Sequence, residues 1–170
     1  MLVRFNEISP HGSTFVLNEI RELAEQQDFI LDGPVTAECT LKRNGESKVV
    51  LQGRIELTVQ IACDRCLRLY SVEVCTEFQQ LFALDSDEAW QVKDVESMPA
   101  DLETEILDEP VIDLDDTLRQ QVYLALPVKK LCVTGCAGLC LQCGANLNET
   151  TCTCEKVVDS PFAVLAQLKK

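Results

Sequence analysis

Histidine is almost absent from the chain: His11 is its single imidazole, and that scarcity removes most general-base and nucleophile-activating arrangements at once. Long hydrophobic runs are missing too. Nothing approaches the roughly 18 consecutive apolar residues that mark a membrane span. The opening MLVRFNEISP lacks the apolar stretch of a signal peptide, so a cytoplasmic location without a membrane partner is expected. Basic residues are few, 15 Lys/Arg against 28 Asp/Glu, and the net charge of -13 disfavours non-specific binding of nucleic acid by the molecule as a whole. No catalytic constellation is visible, so neither an enzyme nor a small-molecule substrate is expected. What remains is an ordinary globular balance, 46% hydrophobic and 25% charged in 170 residues, enough for a single domain with its own core.

The charge is concentrated. Residues 85–116 hold 13 Asp/Glu against one base, Lys93, while the other 138 residues carry 15 acids and 14 bases. The chain therefore reads as a nearly neutral body with an acidic insert, either a solvated loop or a docking segment for a basic protein.

The organisation around that insert follows hydrophobic periodicity. In residues 1–33 a short strand at MLVRF and a helix after Thr14, through FVLNEIRELAEQ, are expected. From 35 to 82 an antiparallel sheet is expected. Val35, Ala37, Cys39 and Leu41 share one face, Asn44-Gly45 is a hairpin signal, and KVVLQG returns. RIELTVQIAC then alternates without error, with Gly53 in the same parity as Leu51 and Ile55, so one long strand bent at the glycine is expected. LYSVEVCTEFQQLF supplies the next strand, and its Phe78 and Phe82 read as core rather than as a platform for stacked bases. A helix over 117–126, capped by Asp115 or Asp116 and stopped by Pro127, lays Leu114, Leu118, Val122 and Ala125 on one stripe. A cysteine-dense stretch at 132–154 follows, then a short helix over 160–170 opened by Ser160-Pro161. The fold class expected is α+β: an antiparallel sheet, a packed helix and C-terminal cysteine-rich zinc knuckles.

Ten cysteines in a reducing compartment read as metal ligands before they read as disulfides. Eight fall in close pairs: Cys63 and Cys66, Cys132 and Cys136, Cys140 and Cys143, Cys152 and Cys154. Two thiolates two to four residues apart can bend onto one ion, so four pairs supply two tetrahedral sites. The last two pairs need only a short loop with Gly144 at its turn, which leaves Cys63 and Cys66 to join Cys132 and Cys136. One or two structural Zn2+ ions are expected, because four protein sulfurs leave no open position for water or substrate. An iron site also uses four thiolates, and a thiol redox protein is a further alternative. Cys39 and Cys75 are left as bystanders.

Cys63-Asp64-Arg65-Cys66-Leu67 closing an alternating strand, Ala125-Leu126-Pro127 closing a helix, and Cys136-Ala137-Gly138-Leu139-Cys140 with Cys143-Gly144-Ala145-Asn146-Leu147-Asn148 together resemble the bacterial and plastid YceD family. The tail Pro161-Phe162-Ala163-Val164-Leu165 is part of the likeness, whereas residues 1–33 and the acidic insert carry none of it. The resemblance implies a non-enzymatic ribosome-biogenesis role, supporting accumulation or processing of 23S ribosomal RNA and assembly of the large subunit. Some family members have a histidine where Cys132 stands and lack the later four cysteines, which ranks the first site as the more essential. The expected partner is the large-subunit rRNA precursor or a ribosomal assembly or processing protein. Contact with it is assigned to Arg65, Arg68, Lys129, Lys130, Lys169 and Lys170, away from the acidic insert; Arg65, lodged between two cysteines, can instead bond locally. The alternative is an adaptor that captures a basic ribosomal protein or ribonuclease through the insert without touching RNA.

Overall fold

The computed structural model describes residues 1–21, 23, 28–84 and 104–154. Among the described residues the chain forms two compact units, one from Met1–Ile61 with Leu69–Val128, the other from Ala62–Arg68 with residues 129–154.

The first unit is built on a long alternating pattern. Among the described residues, strands β1 (Leu2–Arg4), β2 (Ser13–Leu17), β3 (Ile30–Leu31), β4 (Thr36–Asn44), β5 (Lys48–Ala62), β6 (Leu69–Leu84), β7 (Thr104–Leu107) and β8 (Val111–Asp113) precede the α-helix α1 (Leu114–Ala125). Six strands make the main sheet, in the order β2-β4-β5-β6-β7 with β3 also on β5, while β1 and β8 pair separately. Strands β4 and β5 form the expected hairpin, with Ala37 opposite Ile55 and Leu41 opposite Leu51, and Gly45 supplies the positive φ of its turn. β5 runs unbroken for 15 residues, and every inward residue from Val49 to Ile61 except Gly53 is buried. The glycine is required there: a Cβ at position 53 would lie 2.5 Å from the Phe78 ring. Phe78 packs into both hydrophobic clusters of the unit, so the missing side chain makes room for the aromatic that joins them.

The helix lies on this sheet as its apolar stripe requires. Leu118 and Val122 join the cluster formed by Ile55, Val59, Ile61 and Val74, with Ala125 against it, whereas Leu114 enters the second cluster with Phe82, Leu41 and Ile112.

Four local expectations are corrected. The stretch after Thr14 begins as a strand: Ser13–Leu17 pairs with β4, Phe15 opposite Cys39, because its alternation suits a sheet edge better than a helical stripe. The sheet is mixed rather than antiparallel, since β7 runs parallel to β6 with Leu81 opposite Thr104. Within the expected insert, Thr104–Leu107 and Val111–Asp113 are accordingly strands β7 and β8, joined by a bend, and residues 114–116 open α1. The helix starts at Leu114 rather than at 117, and its cap is Asp113, whose side chain accepts from Asp115 N–H at 3.1 Å.

Asp115 is instead drawn inward, 8% exposed, and accepts hydrogen bonds from the Arg21 N–H and the Met1 amine. Burial alone would raise its pKa; those donors hold the carboxyl below its ordinary value. Residues 22 and 24–26 of the expected N-terminal helix, 85–103 of the acidic insert, and the terminal helix 160–170 lie outside the described residues. Among the described residues no helix is long and apolar enough to cross a membrane.

Candidate metal centres

The second unit draws its cysteines from two distant stretches of chain. Between β5 and β6, Cys63-Asp64-Arg65-Cys66 turns back on itself: Leu67 N–H donates to Cys63 O and Cys63 N–H to Arg68 O, each at 2.9 Å. Leu67 takes φ +58 to close that turn, a left-handed conformation that costs a branched side chain about 1–2 kcal/mol. The equivalent turn at Cys140-Leu141-Gln142-Cys143 is closed by the same bond, Gly144 N–H to Cys140 O at 2.9 Å, with a glycine at φ +72 in place of the leucine. Asp64 joins the first turn to the stretch before Cys132. Its N–H donates to Lys130 O at 2.7 Å, and its Oδ2 accepts from Lys130 N–H at 2.8 Å.

These bonds bring eight sulfurs into two fours: Cys63, Cys66, Cys132 and Cys136, then Cys140, Cys143, Cys152 and Cys154, the atoms of each four lying within 4.8 Å of one another. In the first four, Cys63 Sγ is 3.7 Å from Cys136 Sγ and Cys66 Sγ is 3.6 Å from Cys132 Sγ. Those separations are far beyond a disulfide of about 2.05 Å. They match the edge of about 3.8 Å of a tetrahedron with sulfurs about 2.3 Å from a central ion. Both cysteine groups can therefore hold metal ions. The first is the more enclosed, with three of its four cysteines buried, whereas Cys143 of the second is exposed.

Backbone N–H groups prepare one sulfur of each four for ionisation. The N–H of Cys132, followed by those of Cys66 and Arg65, brings Cys63 down to about 6. At Cys140 the N–H groups of Cys143 and Gln142 do the same, also to about 6. The last members resist: burial and then the neighbouring thiols push Cys132 up to about 12, and Cys154 is raised to about 12, chiefly by Cys143. Burial and neighbouring thiols thus oppose ionisation of Cys132 and Cys154, and a divalent cation held among the sulfurs would offset that opposition.

Residues around the ligand candidates have defined tasks. Arg65 donates from its guanidinium to Cys136 O at 2.7 Å, the local bond anticipated as its alternative to partner contact. Arg68 pairs with Glu149 at 3.0 Å across an exposed surface. Lys129 is exposed and Lys130 half-buried, while Lys169 and Lys170 lie outside the described residues. Cys39 is buried in the first unit and Cys75 exposed there, apart from both fours. Two residues were not singled out by sequence. Gly138, at φ +80, would place a Cβ 3.1 Å from Arg65 O, and Asn148 donates to Cys136 Sγ at 3.3 Å. Their only sequence signal is membership of the stretch Cys136-Ala137-Gly138 through Asn148 that carries the family likeness.

Fold and site together define an α+β protein whose second unit presents two four-cysteine groups able to hold metal ions. The family model described as "Large ribosomal RNA subunit accumulation protein YceD" matches residues 51–169, which include all eight clustered cysteines, and the chain belongs to that family. It is 24% identical over 172 residues to the "Large ribosomal RNA subunit accumulation protein YCED homolog 1, chloroplastic" of Arabidopsis thaliana, covering 89% of this chain and 53% of that protein. A protein of the same description from Zea mays is 44% identical over 45 residues, 26% of this chain and 15% of its own length. The chain therefore spans about half or less of the curated relatives it matches. No solved structure matches it.

Proposed function

We propose that this chain is a non-enzymatic factor that supports accumulation of 23S ribosomal RNA and assembly of the large ribosomal subunit, with structural zinc in both four-cysteine groups. The observation that carries the reading is the family match across 51–169, with both cysteine groups inside it. Zinc suits four thiolates held at tetrahedral spacing with no open position, and when bound it would supply cross-links within the second unit rather than a reactive water. Cys63, Cys66, Cys132 and Cys136 would hold one ion, and Cys140, Cys143, Cys152 and Cys154 the other.

The partner belongs to the assembling large subunit, either the rRNA precursor or a protein of its assembly or processing, in a reducing, cytoplasm-type compartment. Of the four described basic candidates, Arg65 and Arg68 have internal acceptors, which leaves Lys129 and Lys130 for an approaching phosphate or acidic side chain. Depleting the protein is expected to lower 23S relative to 16S ribosomal RNA, and an unchanged ratio refutes the proposal. Pull-down before and after nuclease then separates the partner classes: partners lost with the nuclease identify RNA, and those retained identify protein.

A further inference from the structure

We infer that Asn148 is a positioning residue that couples the two cysteine groups, so that an ion in the second strengthens binding of the ion in the first. The inference rests on the metal reading just proposed. Asn148 lies in the loop whose ends are Cys143 and Cys152, both members of the second group. Its amide, however, serves the first. Oδ1 accepts from Ala137 N–H at 2.7 Å, and Nδ2 donates to Cys136 Sγ at 3.3 Å and to Asn146 Oδ1 at 2.8 Å.

The orientation of that amide is forced by chemistry. A backbone N–H can only donate, so the atom facing Ala137 is the oxygen and the atom facing sulfur carries the hydrogens. An N–H aimed at a thiolate disperses its charge and fixes its direction, as outer partners of metal ligands do. Around it, Leu147 N–H donates to Gly138 O at 2.9 Å, Leu139 N–H to Arg65 O at 3.1 Å, and the Arg65 guanidinium to Cys136 O. The loop of the second group, Cys136 with the chain that follows it and the turn between Cys63 and Cys66 thus form one hydrogen-bonded seam.

An ion held by Cys143 and Cys152 fixes both ends of the Asn148 loop. That restricts the loop toward the conformation in which the amide reaches Cys136, so ordering it no longer opposes filling of the first group. Coupling of this kind is reciprocal, and an ion in the first group strengthens the second by the same factor.

Cobalt(II) titration of the full reduced chain tests this, with the sulfur-to-cobalt absorption of each group assigned from the Cys63→Ser/Cys66→Ser and Cys152→Ser/Cys154→Ser chains. Asn148→Ala and Asn148→Asp should each weaken the first group by about 10- to 100-fold. Asn148→Asp keeps the acceptor for Ala137 but replaces the donor to Cys136 Sγ and Asn146 Oδ1 with a carboxylate oxygen, so it should also move the first group's absorption to lower energy. Cys152→Ser/Cys154→Ser should weaken the first group similarly, and adding Asn148→Ala to that chain should change little more. Unchanged affinity in both Asn148 variants, or an undiminished Asn148→Ala effect when the second group is already disabled, overturns the coupling. Should Asn148→Ala fail to fold, the reciprocal measurement stands in: disabling the first group must weaken cobalt binding at the second by the same factor. A chain that takes up no cobalt or zinc overturns the metal reading itself, which is distinct from two ions bound independently.

Discussion

Replacing Cys66 by serine should cost more stability than replacing Cys154, and chain topology sets the size of the difference. Cys66 and Cys132 are 66 positions apart and share the first group, so an ion there closes a loop that contains all of Leu69–Val128, much of the first unit. By the chain-entropy model such a closure is worth about 4.4 kcal/mol, whereas the nine-position closure between Cys143 and Cys152 in the second group is worth about 2.6 kcal/mol. Coupling between the groups is reciprocal and adds equally to both losses, so the difference of nearly 2 kcal/mol survives it. At about 2–4 °C per kcal/mol for a chain of this size, Cys66→Ser should melt roughly 4–7 °C below Cys154→Ser. The assay is thermal unfolding in saturating zinc and reductant, followed at the far-ultraviolet signal of the sheet. Equal melting temperatures, or a larger loss in Cys154→Ser, refute the reasoning, because they would show that the first group does not close the long loop.

Gly53→Ala should destabilise the first unit by about 1–3 kcal/mol through the collision with Phe78, and Phe78→Leu in the same chain should restore part of the loss. A Gly53→Ala melt matching the parent in chemical denaturation contradicts the packing. Cys39 supplies a pH signature: burial and then the Glu38 charge push its thiol from near 9 up to about 11. The folded state therefore keeps a proton that the unfolded chain releases, and stability should fall as pH rises from about 9 to about 11. Cys39→Val should flatten that limb of the stability profile, and an unaltered limb excludes Cys39 as its source. Alkylation of the zinc-loaded chain, read by mass spectrometry, should modify exposed Cys75 first and spare Cys39 and the eight clustered thiols; early labelling of the clustered eight contradicts their role as ligands.

Much of the sheet was legible because alternation leaves little freedom. Gly53 shares parity with Leu51 and Ile55, and a slip of one residue would have turned seven inward positions of β5 to solvent. The grouping of cysteines was legible from spacing, since two close pairs need little chain to meet and the remaining two then have only each other. Where long-range partners decide, sequence was silent. Phe15 sits in a strand because β4 offers it an edge, and β7 forms in an acidic stretch because β6 extends far enough to pair with it. Asp115 looked like a cap, yet Asp113 caps the helix and Asp115 turns toward donors at Met1 and Arg21, more than ninety positions away. Asn148 had no signal of its own, because a side-chain amide reaching a sulfur on another turn leaves no periodic trace.

Elemental analysis of the chain purified under reducing conditions without chelator tests the central claim most directly. Two zinc ions per chain, no iron and no visible colour are expected from two closed four-thiolate sites. A chain carrying iron, or a well-folded chain carrying no metal, contradicts the account.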